Sequence, residues 1–189
     1  HLGLVAYLIP GEEAYRNWAV DYIDAWMQRT DENGGIIPSN IGLDGTIGGA
    51  AGGRWWGGCY GWGFTVTVPQ TGEKANRPAC YSRAHYGFGH GLLLTGQQSY
   101  VDTWRGVLDK VNENAKQENG QTVYPHMHGD DGWYDFRPHP FSPGASDIWY
   151  WSQKESDRQR VSGDGWVQYL SGDNPGYAEA ELERGLEQV

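Results

Sequence analysis

Residues 93–100 read LLTGQQSY, and residues 8–15 read LIPGEEAY. The two align without a gap at a spacing of 85. A third version, LSGDNPGY at 170–177, follows at a comparable interval with a one-residue adjustment on each side of its Gly. Each carries an aliphatic residue, a Gly, polar residues and a Tyr. Behind each lies a stretch of helical character: AYRNWAVDYIDAWMQRT, SYVDTWRGVLDKVNENAK and GYAEAELERGLEQV. Tyr15, Trp18, Tyr22, Ile23 and Trp26 recur at steps of three and four, as do Tyr100, Trp104, Val107, Leu108 and Val111. That spacing puts each set on one helix face. Ahead of each Gly stands a second apolar segment: HLGLVAYLI, ACYSRAHYGFGHGLLLT and VSGDGWVQYL. A helix, a tight Gly turn and a returning helix is the simplest reading of each unit. Such hairpins bury their faces by stacking on neighbours.

The pattern therefore predicts an all-α fold of helical hairpins, with long Gly- and aromatic-rich loops at about 30–78 and 117–160, over a single domain of residues 1–189. The helix ahead of the first Gly turn has room for only residues 1–9, far fewer than its partner. The chain is thus expected to be a piece of a longer protein, with His1 not a natural N-terminus. The stretches NGGIIPSNIGLDGTIGG, RWWGGCYGW, HYGFGHGLLLTG and GDDGWYDF resemble inner helices and connecting loops of the (α/α) toroids of the six-hairpin glycosidase and polysaccharide lyase superfamily. Unsaturated glucuronyl hydrolases are the relatives they resemble most. The resemblance implies a partial toroid catalytic domain, with its cleft lined by inner helices and loops.

Composition narrows the function. The net charge of −10 and the pI near 4.9 exclude a nucleic-acid binder and disfavour an anionic membrane surface. No run of apolar residues reaches the 18 or so needed to span a bilayer. Cys59 and Cys80 either pair or stay free, and two cysteines do not fix the compartment. Aromatics are Trp- and Tyr-rich, with 10 Trp and 12 Tyr against 4 Phe. Rings with a polar handle suit a surface that packs on one side and meets a polar ligand on the other. The expected partner is a carbohydrate substrate, in an extracellular or periplasmic setting. No cofactor or metal is expected. The remaining part of the same toroid, or a second copy, is the expected protein partner.

Three clusters carry the candidate chemistry. In GGRWWGGCYGWGF at 52–64, Trp55, Trp56, Tyr60 and Trp62 supply rings to stack on sugar faces, and Arg54 supplies a fork for a carboxylate. In PACYSRAHYGFGHG, Tyr81 and His85 form the pair a lyase needs, one to meet a uronate carboxylate and one to take the proton α to it. In YPHMHGDDGWYDFRPHPF at 124–141, His126, His128 and Trp133 join Asp130, Asp131 and Arg137. Glycoside hydrolysis needs two carboxyl groups, one acid and one base or nucleophile. Asp130 or Asp131 is the candidate acid and Asp44, in GLDG, the candidate partner. Arg54, Arg83 and Arg137 are candidates to meet a uronate. The alternation of His126, His128 and Asp130 also admits a metal reading, which ranks behind. The favoured function is a glycoside hydrolase acting on a uronate-containing polysaccharide or oligosaccharide. The alternatives are a lyase using Tyr81 and His85, or a non-catalytic carbohydrate-binding fragment.

Overall fold

A computed structural model describes residues 2–49, 51–57, 66–67, 70–78 and 84–187. Cys59 and Cys80 lie outside the described residues. The chain divides into two compact units, His1–Pro143 and Gly144–Val189.

The first unit holds helices α1 (Leu2–Leu8), α2 (Glu13–Glu32), α3 (His85–Thr95) and α4 (Ser99–Asn112). It also holds strands β1 (Val66–Thr67), β2 (Lys74–Asn76), β3 (Lys116–Glu118), β4 (Gln121–Gly129) and β5 (Gly132–Arg137). The fold is mixed α/β. The expected all-α fold is therefore corrected, and the resemblance to an (α/α) toroid falls with it. The region read as a long loop at about 117–160 is sheet as far as Arg137 and helical over Ala145–Ser152 and Glu155–Arg160. β4 is its centre, pairing antiparallel with β5 along Tyr124–Gly129, with β3 at Gln121–Val123 and with β2 at His128–Gly129. Every pairing is antiparallel.

The helix pairs do form, α1 with α2 and α3 with α4. Gly96 ends α3 in the left-handed conformation at φ 75°, and its N–H donates to Leu92 O. Gly91 lets Tyr100 lie against α3, since a Cβ there would stand 2.6 Å from the Tyr100 ring. The Tyr100 hydroxyl then donates to Asp24 Oδ1 of α2 at 2.7 Å. Burial, first, and that hydrogen bond push the Tyr100 hydroxyl up to about 12.

The two amphipathic faces fare differently. On α4 the expected residues Tyr100, Trp104, Val107, Leu108 and Val111 are all buried, with Val101 added. On α2 the buried residues are Ala19, Ile23, Trp26 and Thr30, while Tyr15, Trp18 and Tyr22 are exposed. The short α1 covers only part of the α2 surface, so its outer rings meet water. α4 makes the core by packing on β4. Trp104 Nε1 donates to Pro143 O at 3.1 Å. Asn112 clamps Phe141 from both sides, Nδ2 donating to its carbonyl at 2.9 Å and Oδ1 accepting from its N–H at 2.8 Å.

The second unit is helical: α5 (Ala145–Ser152), α6 (Glu155–Arg160), α7 (Gly165–Leu170) and α8 (Tyr177–Leu186). α5 packs on α6 and α7 on α8. Among the described residues no helix is long and apolar enough to cross a membrane.

Candidate functional site

The loop at 51–57 is placed by backbone anchors. The Trp55 carbonyl accepts from Ser39 N at 2.8 Å and from Ser39 Oγ at 3.1 Å. Gly57 N donates to Asn76 Oδ1 at 3.0 Å, and Asn76 is fully buried on β2. Gly57 sits at φ 74°, and a Cβ there would stand 2.6 Å from Lys74 Cβ. Only glycine meets both demands. Asn76 in turn pairs with His128 of β4. The loop is thus tied to the strand that carries the next part of the site.

β4 and β5 bring His128 opposite Trp133, and the Gly129–Gly132 pair closes the hairpin around Asp130 and Asp131. The left-handed step of that turn falls on Gly132, at φ 92°. The result is three indoles around one imidazole. The His128 ring centroid lies 4.6 Å from Trp55, 4.7 Å from Trp56 and 4.9 Å from Trp133. Trp56 and Trp133 meet it edge-on, and Trp55 meets Trp56 edge-on as well. Burial among these rings pushes His128 down to about 4, against the pull of Asp130. At neutral pH it is therefore an uncharged, aromatic member of the cluster. Its Nδ1 is buried and makes no hydrogen bond among the described residues.

Asp130 borders the cluster as a fixed anion. Its Oδ1 accepts from Trp56 Nε1 at 2.9 Å and from Arg54 at 3.4 Å, and its Oδ2 accepts from Lys74 N at 3.2 Å. The Trp56 bond first, then the Lys74 N–H and Arg54, hold this carboxyl below its ordinary range. Sequence reading did not include Asn76, Ser39 or Lys74. Asn76 has no motif, and only its burial between loop and strand reveals its role.

The other sequence candidates go elsewhere. Asp44 is exposed and closes its own turn, accepting from Thr46 N at 3.0 Å, which lowers its pKa. Asp131 is exposed in the β4–β5 turn. His85 is buried with its ring 4.2 Å from Tyr86 and 5.8 Å from the core ring of Trp104. His126 is buried against Phe141 and donates from Nε2 to His139 O at 3.2 Å. Burial, first, pushes its pKa down. Arg137 forks onto Asp135, Nη2 at 2.7 Å and Nε at 3.2 Å. Tyr60, Trp62, Tyr81 and Arg83 lie outside the described residues. Among the described residues no group of three His, Cys, Asp or Glu side chains is placed to hold a metal.

Residues 1–123, which hold α1–α4, β1–β3 and the first residues of β4, match one protein family. The chain belongs to the family described as "Domain of unknown function (DUF8034)". The DUF8034 match includes Arg54, Trp55, Trp56 and Asn76 and stops inside β4, ahead of His128, Asp130 and Trp133. The site thus combines side chains from the matched segment and from beyond it. No curated protein and no solved structure matches the chain.

Proposed function

We propose that the surface formed by Trp55, Trp56 and Trp133 around His128 recognises carbohydrate. The observation that carries this reading is the convergence of three half-buried indoles beside a carboxylate fixed at their border. Sugar CH faces stack on indoles, and their rim hydroxyls need firmly held acceptors. A carboxylate has about four acceptor positions. Asp130 uses three on Trp56, Arg54 and Lys74, which leaves room for a ligand hydroxyl.

Two features favour recognition over bond cleavage, and an uncharged sugar over a uronate. Asp130 is held as an anion, whereas glycoside cleavage needs a carboxylic acid that keeps its proton near neutral pH. Arg54 and Arg137 are each engaged by a carboxylate of the chain itself, Asp130 and Asp135. Neither offers an uncommitted fork to a uronate.

The test is a titration with neutral hexose and pentose oligosaccharides and with oligogalacturonate, followed by calorimetry and Trp fluorescence. A neutral series is expected to bind. Trp133→Ala should weaken it about tenfold, as loss of one ring contact of about 1.4 kcal/mol implies. Asp130→Asn should weaken it, and neither the wild type nor the variant should release a cleavage product. If no glycan changes heat or fluorescence at millimolar concentration, the reading is wrong.

A further inference from the structure

We propose that the C-terminal unit carries a glycan-contact site of its own, a groove between α5 and α7 walled by Tyr150 and Trp166. The groove holds about 290 Å³ and is open to solvent. Tyr150 and Trp166 are 60% and 50% exposed, although both line it. Ser146 and Asp147 add polar groups at one end, and the buried side chain of Val167 forms part of the floor.

Trp166 is exposed but not loose. α7 starts at Asp164, whose Oδ1 accepts from Trp166 N at 2.9 Å and Val167 N at 3.2 Å. The Tyr169 ring stacks on the indole at 5.5 Å with the ring planes 27° apart. The Tyr177 ring lies 6.5 Å from both Trp166 and Tyr169. Tyr177 reaches this place because residue 165 is Gly, where a Cβ would stand 2.4 Å from its ring. Two tyrosines and a helix cap therefore brace an indole that keeps half its surface in water. A ring buried for stability would not be left so open, and a bare surface ring would not be braced. Rigid aromatic walls with a few polar groups between them are the features of a ligand site.

The volume is at the lower limit of ligand pockets, about 300 Å³. It suits one sugar ring and is too small for a peptide helix. The carboxylate of Asp147 and the net charge of −10 disfavour an anionic ligand, and the hydrogen-bonding groups of Ser146, Asp147 and Tyr150 beside an indole suit a hydroxyl-rich one. A pyranose would lay its CH face on Trp166 and turn its hydroxyls to Tyr150 and Ser146.

The experiment is an NMR titration of the whole chain with neutral oligosaccharides, following the assigned indole N–H of Trp166 and, in every variant, the backbone amides of Val167 and Leu170, which line the groove. It is run in the Trp133→Ala background, so that failure of the sheet site and failure of this one are read separately. The indole signal is expected to shift and saturate. Trp166→Ala and Tyr150→Ala should each weaken the apparent affinity about tenfold, and Trp166→Tyr should keep most of it. An unperturbed amide spectrum in each variant confirms that the fold is kept. No shift at Trp166 with any neutral oligosaccharide overturns the proposal. So does a shift that tracks protein concentration and not oligosaccharide concentration, because the groove would then be filled by a second copy.

Discussion

His128 shows how one side chain changes character with its surroundings. In sequence it sits in a His-x-His run with metal-ligand spacing. In the fold it is a neutral ring among indoles, pushed down to about 4 by burial. An imidazole in the unfolded chain titrates near 6.5, so between those two pH values the unfolded chain binds the proton that the folded chain refuses. Stability is therefore expected to fall as pH drops from about 6.5 to about 4, and to gain nothing further from this group above 6.5. The shift corresponds to about 3 kcal/mol at most, and nearer 1–2 kcal/mol for a ring that is still partly solvated. Thermal melts of wild type and His128→Phe across pH 4–7 test this. The variant should have the flatter acid limb, and an unchanged slope would show that His128 does not refuse its proton.

At the scale of elements, α3 and α4 depend on one missing side chain. Alanine at Gly91 would gain up to about 1 kcal/mol of helix propensity. It would also place a Cβ 2.6 Å from the ring of Tyr100, which is buried and tied to Asp24. Overpacking of this kind costs about 1–3 kcal/mol, so the clash wins. Gly91→Ala is expected to lower stability by about 1 kcal/mol. Gly106→Ala on exposed α4 surface, where a Cβ meets nothing within 4 Å, should raise it by up to about 1 kcal/mol. Denaturant midpoints of the pair decide whether helix propensity or the α3–α4 contact governs. Both helices were readable because a period of three to four persists over several turns. β4 was not, because its buried positions include Pro125, His126 and Gly129 in place of alternating aliphatics. The usable signal was weak: aromatic-rich runs on either side of GDDG, a turn sequence between two strands.

At the scale of the molecule, the match to DUF8034 stops inside β4, but the packing does not. Ending the chain at residue 123 would remove most of β4, all of β5, and the Phe141 and Pro143 groups that Asn112 and Trp104 hold. Loss of a buried Phe alone costs about 3–5 kcal/mol, against a usual total of about 5–15 kcal/mol. A chain of residues 1–143 is expected to melt cooperatively with a near-ultraviolet circular dichroism signal, and one of residues 1–123 is expected to lose both. A folded 1–123 would show that the sheet is dispensable to the helices. The exposed rings of Trp18 and Tyr22 teach the same lesson from the other side. Their spacing marks a helix face, yet a face is buried only where a neighbour is long enough to cover it.

The sequence by itself determined the local elements with sustained periodicity, the glycine turn between α3 and α4, and the identity of most aromatic and charged members of the site. Those depend on neighbours within a few residues, and the chain states them directly. Tertiary structure alone decided the mixed α/β architecture and the meeting of Trp55 and Trp56 with His128, Asp130 and Trp133. That meeting runs through Gly57, Asn76 and a strand pair more than fifty residues apart in the chain. Long-range hydrogen bonds of this kind leave no period behind, and so only the folded chain reveals which candidates stand together and which, like Asp44 and His85, stand apart.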